Sequence, residues 1–295
     1  MISIEKPSRT ARKVALNIVT LGTKPGMDKV LPEGIVDSTA KLLVESGAVN
    51  KTGVSWSRSP RMLLVYKAFD WMMPGQFVAF AHRKAFCENQ VKKGIGSGAG
   101  QVLILGAGYD TIGWRLAPEF TDVNFFEIDH PATSCLKRKG IRAMGVRSNL
   151  DLLAEDLGKR QLTDVMIKNE IWDSAAKTVI VAEGLLMYLP KEAVRNLFMQ
   201  CAAICGTGSR IAFSYVGTRP DGLPDAGPCT RFVLWILKSG GEPWLWSIQP
   251  EKLGTFLKDN NWEIDQNHNK ATDKHGVEYF GVAEKSGKIK KRKEG

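Results

Sequence analysis

QVLILGAGYDTIGWRL, Gln101 to Leu116, is the stretch that decides the fold. Val102 to Leu105 are apolar without polar alternation and run straight into Gly106-Ala107-Gly108. That is the pattern of a strand buried on both faces of a parallel sheet, ending in a tight turn. Ligands of such sheets sit beyond the carboxyl ends of the strands, near the point where strand order reverses. The glycines therefore mark a candidate ligand loop, although a purely structural turn fits the same letters.

A dinucleotide fingerprint needs a third glycine three residues after the second, and Thr111 stands there instead. Asp110 and Thr111 fall where a helix N-cap belongs, and a carboxylate at that end repels a diphosphate. NAD and FAD are thus disfavoured. A ligand that approaches the backbone closely but carries no phosphate fits better, and S-adenosylmethionine is one.

Two further strand tips point the same way. VNFFEIDHP (Val123–Pro131) ends in Glu127 and Asp129, about twenty residues after the glycines, where a carboxylate can accept both hydroxyls of a ribose. TVIVAEGLLMYLP (Thr178–Pro190) reads as a strand with Glu183 and Gly184 at its tip, then Tyr188 before a helix opened by Pro190. An ordinary solvated or capping acid is the competing reading of Asp129 and of Glu183.

Working outward, strands are expected near 101–106, 122–128, 177–182, 209–214, 262–266 and 277–284, with helices between the early ones. Alternation of this kind implies an α/β doubly wound parallel sheet of Rossmann-like form. The last two strands lack room for a crossover helix, so they are expected as a C-terminal antiparallel hairpin at a sheet edge. Ahead of the sheet, 11–21, 34–46 and 76–91 carry apolar residues at helical spacing, and Lys92–Gly100 reads as a flexible connector. The expected organisation is an N-terminal helical cap and connector (1–100), a ligand-binding domain (101–285) with an insertion at about 216–248, and a basic disordered tail (286–295).

The 295 residues, 43% of them hydrophobic, suffice for a full core. No apolar run reaches the roughly 18 to 20 residues of a membrane span, and the first thirteen residues are charged where a signal peptide is apolar. A cytoplasmic protein without a membrane partner is expected. Five cysteines without a C-x-x-C pair suggest neither a disulfide framework nor a zinc site. Only four histidines, His82, His130, His268 and His275, are available, so no metal is expected, though one of them could act as a base. The net charge of +10 raises nucleic acid as a partner, but much of the excess lies in the tail EKSGKIKKRKEG, which reads as solvated.

Taken in order, SRTARKVA (Ser8–Ala15), LGAGYDT (Leu105–Thr111), FFEIDHP (Phe125–Pro131), AEDL (Ala154–Leu157) and AEGLLMYLP (Ala182–Pro190) resemble the leucine carboxyl methyltransferase family. That family includes protein phosphatase methyltransferases and O-methyltransferases of polyketide type. The resemblance implies a class I methyltransferase fold binding S-adenosylmethionine, with Gly106, Ala107 and Gly108 under the ligand and Asp129 on the ribose. It implies Asp156 and the Leu157 backbone beside the adenine, Glu183 facing the methionine part, and Arg83, helped by Arg12 or Lys13, on the ligand carboxylate. Beyond Tyr215 the resemblance ends. RFVLWILKSGGEPWLW (Arg231–Trp246) looks like a private insertion, either a lid over an aromatic acceptor or simple packing against the front helices.

Methyl transfer from a sulfonium is an in-line displacement that mainly needs positioning. A carboxylate acceptor is already ionised, so Tyr188 and Arg231 are candidates to orient it, with Trp235 and Trp244 around it and Tyr109 facing the sulfonium. A phenol acceptor would profit from a base, for which His82 and His130 are the candidates. The expected function is O-methylation of a carboxylate or hydroxyl on a small-molecule acceptor. A protein C-terminal leucine carboxyl methyltransferase and a nucleic-acid-binding protein are the alternatives.

Overall fold

The computed structural model describes residues 7–265 and 274–287. Five helices come first: α1 (Arg9–Leu21), α2 (Ile35–Glu45), α3 (Lys51–Ser57), α4 (Pro60–Phe69) and α5 (Gln76–Gly96). The sheet section then runs β1 (Gln101–Leu105), α6 (Ile112–Leu116), β2 (Asn124–Asp129), α7 (Pro131–Met144), β3 (Leu150–Ala154), α8 (Leu162–Ile167), β4 (Thr178–Ala182), α9 (Lys191–Ala203) and β5 (Arg210–Val216). It closes with α10 (Thr230–Ser239), α11 (Pro250–Asp259), β6 (Trp262–Ile264), β7 (Lys274–His275) and β8 (Glu278–Lys285).

The strands lie in the order β3-β2-β1-β4-β5-β8-β6, with β7 paired to β8. β1 to β5 are parallel, whereas β8 is antiparallel to both β5 and β6. The chain builds outward from β1 through β2 and β3, then returns to start β4 on the other side. The reversal of strand order therefore falls between β1 and β4, at the carboxyl end where Gly106 and Glu183 emerge. Every residue of β1 and of β4 is buried, which explains their unbroken apolar runs.

One face of the sheet packs Leu103, Phe126 and Ile180 against α9 and α11 through Phe198, Leu253 and Leu257. Trp262, fully buried, joins this layer and donates from Nε1 to the Phe198 carbonyl at 2.8 Å. Val102, Phe125 and Val179 face the other way, onto Cys87 and Val91 of α5. A third cluster joins α1, α2 and α7 through Val19, Leu42, Leu43 and Ile141, seating the front helices beside the glycine turn at Tyr109.

Two expectations change. Lys92–Gly96 is the end of α5 rather than a flexible connector, because Val91 and Ile95 are one helical turn apart and pack in the same layer as Val179 and Val181. β3 was not anticipated, nor were the short helices α3 and α4. The final antiparallel pair stands at the sheet edge as expected. His268 and the tail beyond Gly287 lie outside the described residues.

Candidate active site

The glycine turn follows directly from the end of β1. Gly106 and Gly108 have φ of +65° and +48°, a region that side chains disfavour. A Cβ added to them would lie 3.0 Å from Leu185 Cδ1 and from Ala11 Cβ respectively. The turn is fixed by Asp129, whose Oδ2 accepts the Gly108 N–H at 2.6 Å. Beneath it Lys137 Nζ lies 3.5 Å from the Ala107 carbonyl and 2.5 Å from Glu127 Oε2, both side chains being buried. Burial pushes the Glu127 carboxyl up, and Lys137 partly offsets that. Glu127 is thus a structural partner inside the sheet layer, while Asp129, two residues on, reaches the open tip.

A cavity of about 700 Å³ opens above this turn. Arg83, Lys84, Asp110 and Glu183 line its polar end, and Glu278 backs Arg83. Arg83 donates from Nε to Glu183 Oε1 at 2.9 Å and from Nη1 to both oxygens of Glu278, at 2.7 and 2.8 Å. Lys84 contacts Asp110 Oδ2 at 2.5 Å and Glu183 Oε1 at 2.9 Å. The Arg83 guanidinium lies flat against Gly184, where any Cβ would stand 3.2 Å from three of its atoms. Gly184 N–H in turn donates to Ser214 Oγ at 2.9 Å, locking the tip of β4 to β5.

Three carboxylates and two cations leave this cluster with one excess negative charge. Burial alone would raise the Asp110 carboxyl, but Lys84, then Lys137, together with the Ile112 N–H, hold it well below the usual carboxylate range. Burial would likewise discharge Arg83 and Lys84, and the surrounding acids outweigh it, keeping both firmly cationic. Glu183 Oε2 is buried with no hydrogen-bond partner among the described residues. A buried carboxylate oxygen without a donor is costly, so it is suited to an incoming cationic donor.

The cavity gathers Arg83, Gly106, Ala107, Gly108, Tyr109, Asp129, His130, Asp156, Leu157, Glu183 and Tyr188 along one wall or another. Asp156 stands at the end of β3, lowered by Lys159 and the Gly158 N–H against the effect of its burial. His130 caps α7, its Nδ1 accepting the Ala132 N–H, and its Nε2 faces Asp156 at 4.0 Å. It therefore belongs to the β2 and β3 end, away from Tyr188. Burial pushes the Tyr188 phenol up, with the Trp244 indole beside it offsetting part of the shift.

The other expected site residues do not line this cavity. His82, expected as a base, lies outside the cavity lining. It is 100° round the helix from Arg83, and its ring stacks on His275 at 4.4 Å. Arg231 and Trp235, expected around the acceptor, are exposed on α10 and outside the lining. Arg12 is exposed on α1, whose Ala11, Val14 and Ala15 line the cavity instead. Trp244 stands behind its lining neighbours Pro243 and Leu245, with its Nε1 buried.

Sequence reasoning missed Lys84, Glu278 and Glu242. Lys84 was visible as the second cation of HRK. Glu278 was marked only by being an acid in the apolar run VEYFGVA. Glu242, just past α10, accepts from Ser8 Oγ at 3.0 Å, from the Thr10 N–H at 3.3 Å and from the Thr10 hydroxyl, tying the insertion across the start of α1. That link brings the expected lid region to the cavity wall, through Gly241 to Pro243 and Leu245 rather than through Trp235.

Residues 28–202 match the family model described as leucine carboxyl methyltransferase. A protein of Mycobacteroides abscessus is 35% identical over 190 residues, covering 63% of this chain and 60% of that protein. One from Mycobacterium sp. (strain JLS) is 33% identical over 145 residues, covering 49% of this chain and 47% of its own. Both carry the name "Putative S-adenosyl-L-methionine-dependent methyltransferase". The matched stretch thus spans about half to three-fifths of these relatives. Among solved structures, one from Thermobifida fusca YX named "putative methyltransferase" superposes with a TM-score of 0.56 at 16% identity, covering 89% of this chain and 98% of that one. An O-methyltransferase family protein of Burkholderia thailandensis gives 0.50 at 14% identity, covering 89% and 77%. These two likenesses bear on the fold alone.

Proposed function

The chain belongs to the leucine carboxyl methyltransferase family, and from that premise and the cavity's chemistry we propose that it transfers a methyl group from S-adenosylmethionine to an oxygen of a small-molecule acceptor. The observation that carries this is the set of acids at the strand tips. Asp129, Asp156 and Glu183 border one continuous cavity beside the glycine turn. Such a wall suits hydroxyls, an exocyclic amine and an ammonium group, and repels a pyrophosphate.

The residues fit the ligand on a feature of this structure, the donorless Glu183 Oε2, which an ammonium group satisfies. Asp129 would hold the ribose, Asp156 and Leu157 the adenine, and Gly106 to Gly108 the close backbone approach. Arg83 would meet the ligand carboxylate through Nη2, because Nε and Nη1 are engaged by Glu183 and Glu278. S-adenosylmethionine, when bound, would supply a sulfonium-borne methyl group for in-line transfer to the acceptor oxygen, the O–C bond forming as the C–S bond breaks and the neutral thioether S-adenosylhomocysteine leaves.

The remaining work is positioning and the exclusion of water. Tyr188, kept protonated at neutral pH by its burial, donates a hydrogen bond to the acceptor. Ile18, Ile35 and Leu185 dry the wall around it. A carboxylate or other already acidic oxygen suits this site best, since His82 is absent from the cavity and His130 lies at the nucleoside end.

Titration calorimetry with S-adenosylmethionine tests the reading. The parent chain should bind, and Asp129→Ala should weaken binding about tenfold to a hundredfold through loss of charged hydrogen bonds. A parent chain that gives no heat and no competition with the demethylated ligand ends it.

A further inference from the structure

We propose that the face formed by α4 and α10 docks on an anionic lipid surface. Leu64, Phe69 and Trp71 from α4 and the turn after it, with Phe232, Trp235 and Ile236 of α10, are between 41% and 67% exposed. No residue of α4 is buried. On α10 the buried Thr230 and Val233 occupy one side of the helix, and Phe232, Trp235 and Ile236 form a stripe opposite. Side chains of this size, left in water on two helices, mark an interaction surface rather than incidental exposure.

The two helices share one edge of the molecule. The loop leading into α10 packs on the turn after α4, since a Cβ at Gly227 would lie 3.5 Å from the Met72 carbonyl and 3.7 Å from Pro74 Cδ. The far end of α10 is tied to α1 by Glu242, and α4 is tied to α1 by the hydrogen bond from Tyr66 to Asn17. The cavity opens beside these ties, since Ser8, Thr10 and Leu245 line it.

Charge identifies the occupant. Within α4 and α10 the charged residues are Arg61, Lys67, Arg231 and Lys238, with no acid, and Asp70 and Glu242 lie beyond their ends. Arg231 and Lys238 flank the apolar stripe of α10, and Arg61 and Lys67 flank that of α4, each exposed. Apolar and aromatic side chains bordered by basic ones are what a helix lying in a lipid interface requires: the rings enter the headgroup region while the cations meet lipid phosphates. A second copy of this chain would set the same cationic rim against itself. The lack of a spanning helix among the described residues does not bear on this mode, because a face that lies on a bilayer needs no span.

Flotation of the full chain with vesicles decides it. Binding is expected to phosphatidylcholine vesicles containing phosphatidylglycerol, to fall sharply with phosphatidylcholine alone, and to weaken as salt rises. Phe69→Glu combined with Trp235→Glu should lower partitioning by about tenfold or more. Ile167→Glu, which removes an exposed apolar side chain from α8, should leave it unchanged. The proposal is overturned by any of three results: no flotation with anionic vesicles, flotation indifferent to the paired substitution, or light scattering that finds a dimer which the paired substitution dissociates.

Discussion

Glu278→Ala is the sharpest probe of the ionic cluster. The carboxylate is 3% exposed and receives Arg83 Nη1 at 2.7 and 2.8 Å. At 2.7 Å and an effective dielectric of about 20, the attraction is about 6 kcal/mol. Desolvation of both groups offsets much of that, but removing one partner strands the other, which typically costs about 3–5 kcal/mol. Arg83 keeps Glu183, though that acid is already shared with Lys84, so the lower half of the range is expected. For a chain of this size the loss corresponds to a fall in Tm of roughly 5–12 °C. Thermal unfolding followed by circular dichroism reads it directly. The paired variant Arg83→Met with Glu278→Met should lose less than the sum of its two single variants, because neither member of the pair is left without the other. A Tm for Glu278→Ala within about 1 °C of the parent, or strict additivity in the paired variant, would refute the coupling.

Two pH-dependent outcomes accompany it. Tyr188→Phe should reduce kcat about tenfold while leaving the shape of the pH profile unchanged between pH 6 and 9, because burial already raises the phenol above its usual value near 10; an alkaline limb lost in the variant would instead make Tyr188 a base. Burial and then His275 depress the His82 pKa, so the folded chain binds fewer protons than the unfolded one just below about pH 6.5 and loses stability as pH falls through that window. His82→Phe keeps a ring on His275 and should narrow the Tm difference between pH 7.5 and 5.5, and an unchanged difference would acquit this histidine.

The sheet was readable where burial is complete. β1 and β4 are buried along their whole length, so their sequences carry no polar letters to mislead. β3 is half-buried at every position, and LDLLA at a sheet edge has neither a continuous apolar run nor clean alternation. α4 escaped notice for the opposite reason. Its apolar residues face solvent, so their spacing does not describe a core-facing stripe. The strand-tip acids were legible because each sits at the end of a legible strand.

What stayed hidden in the site is the pairing of charges across long stretches of chain. Arg83 and Glu278 are 195 residues apart, and the antiparallel entry of β8 beside β5 carries the acid to Arg83. Glu278 also lies beyond the matched span of 28–202, as does Glu242. Thus Asp129, Asp156 and Glu183 come from the matched segment, whereas Glu278, which shares Arg83 with Glu183, and Glu242 come from the C-terminal part of the chain. The proposed displacement needs its acceptor held to within a fraction of an ångström, and the neighbours of Arg83 and Tyr188 are the groups expected to supply that precision. Exchanging the segment 216–285 between relatives is therefore expected to carry acceptor preference with it through Glu242, Pro243 and Leu245, which line the cavity, while Asp129→Ala should still weaken ligand binding. Retention of the original preference after the exchange would return that choice to the front helices.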